Sequence, residues 1–134
     1  MEFTTETLHQ TMPLAGLLGL ELVSADKAEV VGRIPWRGDL CTSGGVLHGG
    51  AVMAMADTFG ALCAFLNLPA GAGTSTIESK TNFFRACRSG HVESRSTPLH
   101  VGRTTVVIQT DVHDDAGKHV ARVTQTQAVL QPQA

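Results

Sequence analysis

From Ala51 to Leu66 the chain runs through a stretch rich in Ala, Leu and Met that holds one charged side chain, Asp57. The stretch reads as a helix too apolar to face water on all sides, so a second layer must cover it. Gly44-Gly45-Val46-Leu47-His48-Gly49-Gly50 leads directly into it. A His and two glycines there leave the backbone N–H groups of the first turn open to a ligand. Those groups and the helix dipole favour negative charge. Burying a lone carboxylate on such a helix costs several kcal/mol, on the order of a small domain's stability margin, unless it is solvated, paired or used. One segment therefore offers both a site for a developing oxyanion and a carboxylate able to attack or to activate water. The run is predicted to be a core helix rather than a membrane span. Asp57 sits in its middle, Gly60 interrupts it, and no Lys or Arg flanks it closely.

The covering layer is legible in the rest of the chain. A helix is predicted over Thr5 to Leu18 with a break at Pro13, then strands over Leu20 to Ser24 and Ala28 to Trp36. Arg37 to Gly45 reads as a loop, and Pro69 with the glycines that follow stops the long helix. Four more strands are predicted: Ser75 to Cys87, His91 to Val101, Thr104 to His113 and Lys118 to Leu130. Turns are expected at Arg88-Ser89-Gly90 and Asp114-Asp115-Ala116-Gly117, and Val106, Ile108 and Val112 share one strand face. Strands joined by short turns imply an antiparallel sheet with the long helix on one face, an α+β arrangement. The length of 134 residues suits a single domain over 1–134, and 43% hydrophobic residues suffice for a core.

Composition narrows the function classes. A net charge of -2 argues against a general nucleic-acid binder. Cys41, Cys63 and Cys87 are odd in number and lack metal-ligand spacing, as expected of reduced thiols in a cytoplasmic protein. Met1-Glu2-Phe3-Thr4 shows no basic n-region and no apolar h-region, so no signal peptide is expected. His91, His100, His113 and His119 are scattered without ligand spacing, so no metal is expected.

His48-Gly49-Gly50 at the helix start, with Asp57 nine positions after the His, resembles the small acyl-CoA thioesterases of the phenylacetate-degradation type. Their hotdog fold wraps a curved antiparallel sheet around one long central helix, and the resemblance covers nearly the whole chain. Pro98-Leu99-His100-Val101-Gly102-Arg103 and the hairpin after it look like the branch acting on aromatic acyl-CoAs. That branch includes the 1,4-dihydroxy-2-naphthoyl-CoA and enterobactin-pathway thioesterases. The resemblance implies hydrolysis of an aromatic or medium-sized acyl-CoA without a cofactor. It makes Asp57 the nucleophile or general base, since neutral water attacks a thioester poorly. Gly49 would supply the N–H that polarises the thioester carbonyl, where a side chain would crowd the acyl group. His48 would orient or polarise that carbonyl, with Gly50 beside it. Thr42 stands where relatives carry Asn or Gln, and Ala61 where some carry a water-holding hydroxyl. Thr76 lies near the position of a supporting hydroxyl. Lys80, Arg85, Arg88, Arg95 and Arg103 against Glu93 alone make a local basic segment. Such a segment could steer CoA phosphates, with Arg88 and Arg103 the preferred candidates.

Spacing alone adds a constraint. If Gly49 and Asp57 share one helix, eight residues separate them by about 12 Å along the axis and turn Asp57 roughly 80° away. One subunit then cannot bring both to a single thioester carbon. The resemblance agrees: it implies active sites at the interface of a homodimer, with a dimer of dimers (a homotetramer) the larger assembly. Two other functions compete. A non-catalytic acyl-CoA sensor on the same fold should lack the carboxylate. A dehydratase of this fold pairs its His and acid in a different local pattern.

Overall fold

The computed structural model describes residues 2–132. Its elements are α1 (Thr5–Thr11), α2 (Pro13–Leu18), β1 (Glu21–Ala25), β2 (Val30–Pro35), a single 3-10 turn (Gly38–Leu40), α3 (Gly49–Leu66), β3 (Gly73–Phe83), β4 (His91–Val101), β5 (Thr105–Asp114) and β6 (His119–Leu130). The six strands form one antiparallel sheet in the order β1-β2-β4-β5-β6-β3, and α3 lies across its inner face. The helix buries Val52, Met55, Ala56, Phe59, Leu62 and Cys63 at intervals of three and four residues. They pack on Val30, Ile34, Val92, Val106, Ile108 and Val112 of the sheet. Burying one such side chain stabilises by roughly 1.5–3 kcal/mol, so this contact dominates the fold.

Most predicted elements shift by a residue or two at their ends, and two of the differences have a clear physical cause. The strand expected over Ser75 to Cys87 stops at Phe83. Beyond it the chain folds back under the loop that precedes α3, where the Leu47 N–H donates to the Cys87 carbonyl at 2.8 Å. The long helix begins at Gly49 rather than Ala51 because the His48 side chain caps it two residues early. Pro13 opens α2 as its first residue, where its missing N–H is harmless. α1 ends before it, so the expected break is a junction between two short helices.

Four strands carry a bulge, and three of these turn an apolar side chain outward: Val23 in β1, Ile77 in β3 and Leu99 in β4, whereas Val120 in β6 stays buried. An extra residue at a bulge reverses the in–out alternation beyond it. At Ile77 this keeps Thr76 opposite Gln127 of β6, facing the helix. Gly32 of β2 is required by packing: a Cβ there would overlap the ring of the fully buried Phe59.

Candidate active site

The start of α3 is a set of backbone donors with one left over. His48 Nδ1 accepts the Gly50 N–H at 2.7 Å. The His48 carbonyl accepts from Ala51 at 2.9 Å and from Val52 at 3.3 Å. The Gly49 N–H has no partner among the described residues. Gly49 lines a cleft of about 350 Å³ together with Thr42, Val46, Phe83, Phe84 and Arg85 among others. The first turn of a helix without an acceptor is an anion site in waiting. The Phe83 ring lies over Gly49, where a Cβ would come within 3.0 Å of it. The loop that presents this turn is held by the Trp36 indole N–H, which donates to the Gly45 carbonyl at 3.0 Å.

Asp57 lies two turns further along the same helix, in the outward row Met53, Asp57, Ala61, Phe65. The premise of a buried carboxylate is corrected here: in the single chain the Asp57 side chain is exposed, because the stripe that packs on the sheet is Val52, Met55, Ala56 and Phe59. Its Oδ1 accepts from Thr76 Oγ1 at 3.1 Å and from Gln125 Nε2 at 3.3 Å. Its Oδ2 has no partner among the described residues.

Thr42 and Gly49 therefore line one cleft, and Thr76 stands with Asp57. His48 and Gly50 face a different depression, on the α2 side with Leu14, Leu18 and Leu40. With Nδ1 engaged in the cap, His48 is the tautomer that carries its proton on Nε2. Arg88 precedes β4 and Arg103 follows it, so a strand length of about 35 Å divides them within one chain. Arg85 is the basic residue that lines the Gly49 cleft. Arg95 is engaged with Glu29 and Glu93, each at 3.1 Å.

Two of the three thiols, Cys63 and Cys87, offer no rival nucleophile. Burial pushes the Cys63 thiol up to about 11, with Asp26 and Glu29 adding to the effect. Burial likewise raises Cys87. Both stay protonated at neutral pH, and a thiol attacks poorly in that form. Among the described residues no cluster of His, Cys, Asp and Glu could hold a metal.

Gln125 and Gln127 were missed by the sequence reasoning. Both are fully buried amides, at 0% and 1% exposure. A signal was present: Val123, Gln125 and Gln127 alternate along β6, so the two amides share the face of a core valine. A polar residue at a core position is the informative exception in such a pattern.

The thioesterase superfamily model matches residues 44–121, which span both the Gly49 turn and Asp57. A Haemophilus influenzae protein named as an esterase is 32% identical over 118 residues, covering 87% of this chain and 86% of its own. The crystal structure of a thioesterase from the same species superposes with a TM-score of 0.90 at 30% identity, over 98% of this chain and 93% of that one. The Escherichia coli 1,4-dihydroxy-2-naphthoyl-CoA hydrolase is 30% identical over 86 residues, covering 64% of this chain and 63% of its own.

Proposed function

The chain belongs to the thioesterase superfamily, and from that premise we propose that it hydrolyses an aromatic or medium-sized acyl-CoA to the free acid and CoA. The observation that carries this reading is the pair of unfilled groups on α3: the Gly49 N–H at one end and Asp57 Oδ2 two turns on. In the proposed reaction the thioester carbonyl oxygen points at the Gly49 N–H, which stabilises the charge that develops on it. Asp57 attacks the thioester carbon or takes a proton from the attacking water. Thr42 lies beside the carbonyl in the same cleft, and Thr76 orients the carboxylate. His48, proton on Nε2, and Gly50 border the site on the α2 side. Arg85 and Arg88 draw the CoA phosphates towards the cleft, while Arg103 acts at the far end of the sheet.

The two groups act from different subunits of a homodimer. Both lie on α3, so the helix keeps them apart. The edge strand β3 suggests how copies join. It is long, ends the sheet, and exposes Ile77 and Phe83. Such an edge invites pairing unless it is covered. Antiparallel pairing of two β3 strands about a two-fold axis near Ser79 and Lys80 would set Thr76, with its Asp57, opposite the partner subunit's Phe83, which overlies Gly49. Hydrolysis of a panel of acyl-CoAs, followed by thiol release, tests the activity. Binding without turnover across the panel would restore the sensor reading. Mixing Asp57→Asn chains with Gly49→Pro chains tests the sharing. Each alone should be inactive, and the mixed dimer should regain one whole site. No rescue in a verified mixed dimer would place both groups in one subunit's site.

A further inference from the structure

Asp57 rests on a polar layer of which the reaction as described above uses only Thr76. Gln125 Nε2 donates to Asp57 Oδ1 at 3.3 Å and to Gln127 Oε1 at 3.0 Å. Thr76 Oγ1 lies 3.1 Å from Asp57 Oδ1 and 2.7 Å from Gln127 Oε1. The orientation of both amides follows from a backbone anchor. The Thr74 hydroxyl donates to the Ala128 carbonyl at 2.8 Å, so it accepts from Gln127 Nε2 at 3.1 Å. Gln127 Oε1 must then face Gln125, and Gln125 must present its Nε2. Turning Gln125 over would set its oxygen against both Asp57 Oδ1 and Gln127 Oε1.

The fold accepts a penalty to keep this arrangement. Gln125 Oε1 is buried without a hydrogen-bond partner. Glycine at residue 60, in the middle of α3, leaves room for that oxygen: a Cβ there would overlap it and displace the Gln125 amide. Two buried amides, an orphaned acceptor and a helix-weakening glycine all converge on one carboxylate oxygen. Apolar side chains at 125 and 127 would fill the core without these costs.

We propose that Gln125 and Gln127 are positioning residues: they clamp Asp57 Oδ1 and so leave Oδ2 as the oxygen that meets the reacting water or thioester carbon. The kinetic part rests on the thioesterase reading above; the clamp itself does not. Gln125 acts directly, and Gln127 acts by fixing Gln125. The Thr76 hydroxyl has one proton and two acceptors. It donates to one of them at a time, and Gln125 holds Oδ1 when the hydroxyl donates to Gln127.

Gln125→Met keeps the length and removes the donor. With benzoyl-CoA as probe, kcat should fall roughly tenfold or more with KM little changed, the mark of an interaction that acts on the chemical step. In an Asp57→Asn background the same substitution should change kcat less than about twofold. A second readout needs no activity. In ¹H–¹⁵N spectra the Gln125 side-chain amide, identified by its loss in Gln125→Met, should shift on Asp57→Asn while the Gln109 amide stays in place. Should Gln125→Met fail to fold, Gln127→Met takes its place, with the Gln125 amide signal still present to be followed. An equal loss of rate in both backgrounds, or a Gln125 amide unmoved by Asp57→Asn, overturns the proposal. If the wild type hydrolyses none of the probes and the amide still moves, the clamp stands and the thioesterase reading alone falls.

Discussion

Replacing Gly49 by proline deletes a single backbone N–H at the one position where α3 tolerates it. Gly49 is the first residue of the helix, and the preceding His48 has φ -61° and ψ 133°. Proline is favoured at a first helical position, and it asks its predecessor for this extended conformation. The N–H removed has no protein partner among the described residues, so no hydrogen bond of the fold is lost. The nearest neighbour of an added Cβ is Phe83, whose Cζ lies 3.0 Å away. Phe83 is 49% exposed and can yield. Stability should therefore change by about 0.5 kcal/mol or less, the range of surface substitutions away from special sites. Catalysis should not escape so lightly. Loss of one donor to a developing oxyanion typically costs about a hundred- to a thousandfold in kcat, or about 2.7–4 kcal/mol. Gly49→Ala is the control, since it adds the same Cβ and keeps the N–H. The assay is thiol release from benzoyl-CoA alongside a thermal melt for both variants. Equal turnover by the Pro and Ala variants would show that crowding, not the N–H, matters at this position.

Asp57→Asn should lower kcat by roughly a hundredfold or more, because an amide neither attacks nor takes a proton. Its melting temperature should stay close to wild type, since Asn Oδ1 can still accept from Thr76 and Gln125; near wild-type turnover in this folded variant would remove Asp57 from the mechanism. Gly32→Ala should destabilise by about 1–3 kcal/mol through overpacking against Phe59. A denaturant titration checks it, and Phe59→Leu in the same chain should recover part of the loss. Asp111 on the outer face gives a pH test: burial pulls its carboxyl upward, but the Arg122 and His119 contacts, each at 2.8 Å, outweigh this and hold it below the usual range. A carboxyl depressed on folding contributes stability above its unfolded value, lost as pH falls through the folded one. Both groups are partly exposed, so Asp111→Asn should cost no more than about 1 kcal/mol at pH 7. Melts taken at falling pH, below the ordinary carboxylate range, should show that difference shrinking; a deficit that stays constant as the pH falls refutes the ion-pair account.

Pattern and punctuation carried most of the fold into the sequence. Alternation fixed which residues of β5 face inward, because a strand with one wet face must repeat every two residues. The bulges escaped notice because they break that rule: Ile77 and Leu99 look like core positions and are exposed. The end of β3 escaped for a different reason. Phe83, Phe84 and Cys87 read as strand, and only the tertiary bond from Leu47 to Cys87 draws the chain away from the edge. The Gly49 turn and Asp57 were visible as a glycine pair before an apolar helix and a lone charge within it. The environment of Asp57 was not, since exposure depends on which stripe of α3 the sheet covers. Gln125 and Gln127 could have been found only by carrying the β6 register inward from Val123.

The polar residues of the inner face are not equivalent, and their difference locates the functional side of the core. Ser96 and Thr110 on β4 and β5 bond each other at 2.7 Å, and Ser94 reaches the Gly32 carbonyl. These hydroxyls are satisfied within the sheet and ask nothing of the helix. Gln125 of β6 instead reaches across to α3, where Gly60 makes room for it, and Gln127 holds Gln125 in place. On the opposite flank Phe59 fills the space over Gly32 with apolar contact alone. So α3 is held by its contact with β2 and β4, while its contact with β6 and β3 is given over to one carboxylate. Substitutions that shrink apolar side chains on the first flank should act on stability with kcat preserved per folded molecule. Apolar replacement of Gln125 on the second should act on kcat with little loss of stability, since it removes the orphaned Oε1 while Thr76 still donates to Gln127 Oε1. If the two classes of variant behaved alike, this division of the core into a structural and a catalytic flank would be wrong.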